Sequence, residues 1–165
     1  MDNSKVHPSQ RGYFAEALFN EMLKDDRIYL VTGDLGYIQF DEIKKRFPNR
    51  FINVGAAEQA GVMICVGLAQ AGMKPFFYTI TSFLLRAAET IHLYLDTEQC
   101  PVSLVGAGRD NDYLADGKSH WGYAAQQFIA ERDIETYYPQ EKEDVPNFIK
   151  LMVENDSPSF ISLRR

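Results

Sequence analysis

Residues Asn53 to Gly72 read NVGAAEQAGVMICVGLAQAG. From residue 57 to 71 small and apolar side chains follow one another as in a core helix, and Gly72 supplies the stop. A single carboxylate, Glu58, stands at the start, and the next charged side chain downstream is Lys74. An acid in the first turn is stabilised by the helix dipole by about 0.3–1 kcal/mol, so its position alone has an ordinary explanation. Its surroundings are less ordinary. Gly55, Ala56, Ala57, Ala60 and Gly61 allow another surface to approach closely. An apolar setting disfavours the charged form of a carboxylate, which suits a proton donor.

Outward from this helix the chain alternates. Short β-branched and aromatic runs at 27–34, 50–55, 74–80, 101–108, 134–139 and 158–165 read as strands. Helical spacing recurs at 13–24, 39–48, 82–96, 120–132 and 142–155. Near-continuous apolar strands with helical crossovers predict an α/β fold: a three-layer αβα sandwich around a six-stranded, mainly parallel sheet. Right-handed crossovers bring the strand-to-helix loops to the carboxyl edge of that sheet, where such folds bind ligands. The loops to watch are 33–39, 54–58, 79–83 and 106–120.

The totals narrow the function. The 165 residues suit one domain, 1–165. Net charge is −6 and no Lys/Arg stripe exists, which argues against nucleic acid as partner. The apolar run at 59–72 is too short and too rich in Gly and Ala to span a membrane. The first residues, MDNSKVHPSQRGYF, contain no apolar signal core, so a cytoplasmic setting is expected. Cys65 and Cys100 lie far apart in sequence and read as buried, reduced thiols. GAGRDN, 106–111, begins like a dinucleotide loop, but Asn111 stands where the third glycine belongs. GDLG, 33–36, lacks the Lys-Ser/Thr of a phosphate loop. No HExxH or GxSxG is present, which removes zinc-protease and serine-hydrolase readings.

The stretch NVGAAEQAGVMICVGLAQAGMKPFFYTITSFLLRAAETIH, with ADGKSH at 115–120 and GDLG at 33–36, resembles the pyrimidine-binding domain of transketolase-type thiamine diphosphate enzymes. This superfamily includes transketolase, deoxyxylulose phosphate synthase and the β subunits of 2-oxo acid dehydrogenases. Its patterns there run close to NVGIAEQ, EDGPTH and ADLG, and the likeness covers nearly the whole chain. The resemblance implies that Glu58 hydrogen-bonds a ring nitrogen of the aminopyrimidine and thereby activates the cofactor. Ala57 lies beside it on the cofactor side. Phe83 matches the aromatic that stacks on the pyrimidine, although a core role suits it too. Arg86 matches a position that meets a substrate phosphate or carboxylate, or it pairs with Glu89 on its own helix. Asp116 and His120 match the substrate-side loop, where the histidine contacts hydroxyls or assists proton transfer. Asp34 matches an acid near the cofactor or a subunit contact, and a turn role is as good a reading.

The departures matter as much. Transketolases carry a histidine after the fourth strand where this chain has Gly108, and one acid of GEDG is missing at Leu114 to Gly117. The GDG…N motif that holds the diphosphate and Mg²⁺ is absent, as is the usual C-terminal domain. The resemblance therefore implies thiamine diphosphate and Mg²⁺ shared with a diphosphate-binding partner subunit, in an α2β2 heterotetramer, with no metal ligands in this chain. The small-residue helix would then serve at the interface. The expected activity is ketol transfer, or carboligation or decarboxylation of a 2-oxo acid. The alternative is a non-catalytic structural or regulatory paralogue.

Overall fold

The computed structural model describes residues 8–165. Six strands form one sheet: β1 Ile28–Thr32, β2 Phe51–Asn53, β3 Lys74–Ile80, β4 Ser103–Ala107, β5 Glu135–Tyr137 and β6 Ser159–Leu163. Their order is β2-β1-β3-β4-β6-β5, and every neighbouring pair is parallel. The expected α/β class and six-strand sheet are as observed. The central strands β4 and β6 are buried along their whole length, as expected of a sheet covered on both faces.

On one face, α1 (Gln10–Met22), α2 (Asp41–Arg46) and α6 (Val145–Glu154) cover a core that includes Phe14, Leu18, Leu30, Phe40, Phe76, Tyr78 and Ile161. On the other, α3 (Glu58–Gln70), the segment 81–97 and α5 (Tyr123–Ala130) cover Val31, Val62, Phe77, Leu84, Ile91, Leu104 and Phe160. Alternate residues of β3 thus serve opposite cores, since a strand has period two. α1 starts on Ser9, whose Oγ accepts from the Gly12 amide at 3.4 Å. α3 has no side-chain cap, because its N-cap residue is Ala57. Its close seat on the sheet depends on Gly61: a β-carbon there would lie 2.2 Å from the Phe77 ring.

The helix expected over 82–96 is not uniform. Thr81–Ala87 is a 3-10 segment, α4 is a single turn at Ala88–Thr90, and Ile91–Thr97 is π-helical. Hydroxyls act at both ends: Thr81 Oγ1 donates to the Ala107 carbonyl of β4, tying the segment's start to the sheet, and Thr97 Oγ1 competes for the His92 carbonyl of its own segment. The helix expected from 120 begins at Tyr123, after a separate 3-10 turn at Lys118–His120. The helix expected from 142 begins with a 3-10 turn at Lys142–Asp144.

Candidate functional site at the carboxyl edge

Glu58 opens α3 at the carboxyl edge and is only 2% exposed. It is not isolated. Arg86 Nη1 donates to Glu58 Oε2 at 2.8 Å, joining two residues 28 positions apart. The sequence reading paired Arg86 with a substrate anion or with Glu89; in the structure its partner is Glu58. The 3-10 winding of 81–87 carries Arg86 there. Its side chain remains 51% exposed, so one end of the ion pair faces outward.

The second carboxylate oxygen looks the other way. A β-carbon on Gly33 would lie 3.6 Å from Glu58 Oε1, 3.7 Å from Thr79 Oγ1 and 3.4 Å from the Gly55 carbonyl oxygen. Gly33, at the end of β1, therefore leaves a floor between the acid and a hydroxyl. Thr79 Oγ1 is buried and without a hydrogen-bond partner. A buried hydroxyl left unpaired costs free energy, and this one borders the same space over Gly33 as the Glu58 carboxylate.

Phe83 lies across the Arg86 guanidinium, with Cζ 4.0 Å from the ring centroid. Its other neighbour is His120, at 5.1 Å between ring centroids in an edge-on arrangement. Ser82 Oγ donates to the Ser119 carbonyl at 2.8 Å, which docks the His120 turn onto the 3-10 segment. Ser119 Oγ lies 3.0 Å from His120 Nδ1. Four of the residues singled out from sequence, Glu58, Phe83, Arg86 and His120, thus form one chain of contacts. Ala57 precedes Glu58, half-buried, and its amide donates to the Gly55 carbonyl.

Asp34 and Asp116 stand apart from that chain. Asp34 is exposed, with φ 52°. It accepts from the Tyr37 hydroxyl at 2.8 Å, and its amide donates to Asn53 Oδ1 at 3.0 Å. Asn53 Oδ1 also accepts from the Gly55 amide at 2.9 Å, so it fastens the first two carboxyl-edge loops together. Asp116 is exposed at the end of a 3-10 turn, Leu114–Asp116. Among the described residues no cluster of three or more His, Cys, Asp or Glu side chains is placed to hold a metal ion. Among them, too, no helix is long and apolar enough to cross a membrane.

Two features escaped the sequence reading. One is Thr79, whose importance lies only in its orphaned hydroxyl. The other is Tyr113. A β-carbon at Gly108 would sit 2.2 Å from the Tyr113 ring, and Gly108 has φ 83°. The tyrosine therefore fills the space that a side chain at 108 would need. Gly108 and Tyr113 are therefore sterically paired.

This arrangement defines a parallel α/β domain with a buried acid, an aromatic and a histidine on the carboxyl edge. Residues 7–165 match the family model described as "Transketolase, pyrimidine binding domain", and the chain belongs to that family. Among curated proteins, 1-deoxy-D-xylulose-5-phosphate synthase of Halothermothrix orenii is 33% identical over 175 residues, covering 100% of this chain but 27% of that protein. The chloroplastic 1-deoxy-D-xylulose-5-phosphate synthase 1 of Oryza sativa subsp. japonica is 36% identical over 115 residues, 69% of this chain and 16% of its own length. The chain thus spans about a quarter or less of these relatives. Among solved structures, a chain described as a split gene transketolase, inactive beta4 tetramer, has a TM-score of 0.84 at 23% identity, covering 95% of this chain and 51% of that one. At that identity the likeness shows the fold.

Proposed function

We propose that this chain, as a single domain over 1–165, is the pyrimidine-domain subunit of a two-subunit, thiamine diphosphate-dependent, transketolase-like enzyme. The observation that carries the reading is Glu58, buried at the mouth of α3, with Oε1 and the orphaned Thr79 hydroxyl both bordering the space over Gly33. The residues present fit an aminopyrimidine: an acid for a ring nitrogen, a hydroxyl for a neighbouring polar atom and Phe83 as an apolar wall. When bound, the cofactor supplies a nucleophilic carbon that adds to a carbonyl and stabilises the adjacent negative charge. Glu58 shares a proton with the ring nitrogen, and burial keeps water from competing for it. Arg86 fixes the carboxylate rotamer through Oε2. His120, held at Nδ1 by Ser119, presents Nε2 to the substrate oxygen. Asp34 and Asp116 border the site on the cofactor and substrate sides.

The diphosphate and Mg²⁺ are assigned to a diphosphate-binding domain on a partner subunit, in an α2β2 assembly in the cytoplasm. The reaction is ketol transfer, or carboligation or decarboxylation of a 2-oxo acid. The test is turnover of the assembled complex. Glu58→Ala should lower kcat by about 10²–10⁴-fold, the usual contribution of a positioned acid or base. A rate within a factor of about two of the unsubstituted complex, against that scale, defeats the assignment.

A second reading is a non-catalytic structural or regulatory subunit. The solved split-gene chain is described as inactive, which supports this reading more directly than it supports catalysis. The Arg86–Glu58 ion pair points the same way, since it engages half of the carboxylate. The same Glu58→Ala measurement separates the two.

A further inference from the structure

Arg86 sits on both groups assigned above to an aminopyrimidine. Its Nη1 donates to Glu58 Oε2 at 2.8 Å, and its Cζ lies 4.0 Å from the centroid of the Phe83 ring. Paired aromatic rings keep their centroids about 4.5–7 Å apart, so a guanidinium this close leaves no room for a second ring on the same face. That face is the one turned toward Glu58, because the group covering it also touches the carboxylate. The guanidinium is a flat N–C–N unit that shares a hydrogen with the acid and lies over the aromatic. An aminopyrimidine is a flat ring built of N–C–N units, and it makes the same two demands.

The contacts around Arg86 suit a placeholder rather than a permanent strut. Among the described residues Glu58 is the one hydrogen-bond partner of its side chain. That side chain is 51% exposed, whereas Glu58 is 2% exposed. The exposed member of such a pair turns to water at little cost, and the buried member does not. The backbone beneath is held independently of the ion pair. Thr81 Oγ1 ties the start of the 3-10 segment to the Ala107 carbonyl, and Ser82 Oγ ties it to the Ser119 carbonyl. Phe83 therefore keeps its place when the Arg86 side chain moves.

We propose that Arg86 is a placeholder for the aminopyrimidine ring. It presets the Glu58 rotamer and shields the buried carboxylate until the ring arrives, then swings outward and gives up the Phe83 face and its hold on Glu58. The proposal rests on the reading of Glu58 and Phe83 as the pyrimidine site, and it adds a competitor for that site within the chain itself.

The test is an amide-resolved NMR titration of the full chain and of its Arg86→Ala variant with 4-amino-2,5-dimethylpyrimidine. Both should shift at residues 57, 58 and 83. Arg86→Ala should bind about tenfold more tightly, the scale of one exposed ion pair and one exposed cation–π contact removed from the competitor. In the unsubstituted chain the Arg86 Nε–H signal should move with the same midpoint as those amides. A residue that merely props Glu58 would give the opposite sign, since its loss would weaken the ring. Arg86→Lys keeps a cation beside Glu58 but has no flat face to lay over Phe83, so it should bind between the other two and serves where Arg86→Ala folds poorly. Equal or weaker binding by both variants, with the same residues shifting, overturns the placeholder and leaves the pyrimidine site standing. Absence of shifts at residues 57, 58 and 83 in all three forms overturns both.

Discussion

The two edges of the sheet are built to different ends. At the amino edge most polar groups meet protein partners. Arg50 donates to the carbonyls of Met22 at 3.0 Å and Asp25 at 2.9 Å, closing the end of α1, and lies 4.3 Å over the Phe47 ring. Arg27 takes both oxygens of Asp25, at 3.0 and 2.7 Å. At the carboxyl edge, Thr79 Oγ1, Arg109 Nε and Ser162 Oγ are buried without partners, and Asp34, Ile38 and Asp110 have φ above +50°; the amino edge has fewer such features, Arg132 Nε and the φ of 53° at Gln99. An edge that satisfies itself contributes to stability, and an edge that leaves groups open gives up stability for a ligand. The difference teaches where function lies without reference to any relative.

The largest stability effect should therefore fall at the amino edge. Arg50→Met keeps an apolar contact with Phe47 but strips the α1 carbonyls of their donor, and should cost about 2 kcal/mol, the scale of a lost charge-assisted hydrogen bond to a part-buried acceptor. Urea unfolding reads it. A loss below about 0.5 kcal/mol would mean that water caps α1 equally well, and the contrast between edges would weaken.

Glu58→Gln sharpens the comparison from the other side. The amide keeps the shape and can still accept from Arg86, while the buried charge is gone. Replacing one member of a part-buried ion pair by a neutral isostere should leave stability within about 1 kcal/mol, or raise it. Thermal unfolding of the purified chain checks this. A fall of several kcal/mol would make Glu58 a structural residue, because the carboxyl edge would then depend on it for folding.

Much of this was legible in the sequence. The strand and helix order followed from apolar periodicity, and the parallel sheet from the crossovers. Glu58 stood out as a lone acid at the start of an apolar helix, and Phe83 and His120 were singled out only through the family resemblance of the stretches that carry them. What stayed hidden depends on side chains meeting across the fold. Arg86 reaches Glu58 only because residues 81–87 wind as a 3-10 segment, and Thr81 and Ser82 hydroxyls that hold that segment carry no helical or strand period. The Gly108–Tyr113 pair reads in sequence as a missing histidine and an unrelated tyrosine five positions later. Steric complementarity of that kind has no signature until the loop is folded.

The smallest effect tests whether the self-satisfied edge responds to pH. The Arg27 guanidinium hydrogen-bonded to Asp25 holds that carboxyl down at about 2. Its pKa is depressed on folding, so its contribution is fully present above the unfolded value of about 3.9 and is lost as pH falls through the folded value. Asp25→Asn should therefore flatten the fall in stability between about pH 4 and the folded value, its curve lying slightly below the unsubstituted one at neutral pH and meeting it at the acid end, the gap being small because Arg27 is open to solvent. Thermal unfolding of both forms across that range measures the difference in slope. Parallel curves would show that the Asp25–Arg27 pair persists in the unfolded chain, where the two residues are only two positions apart, and that the carbonyl contacts of Arg50 hold the amino edge without it.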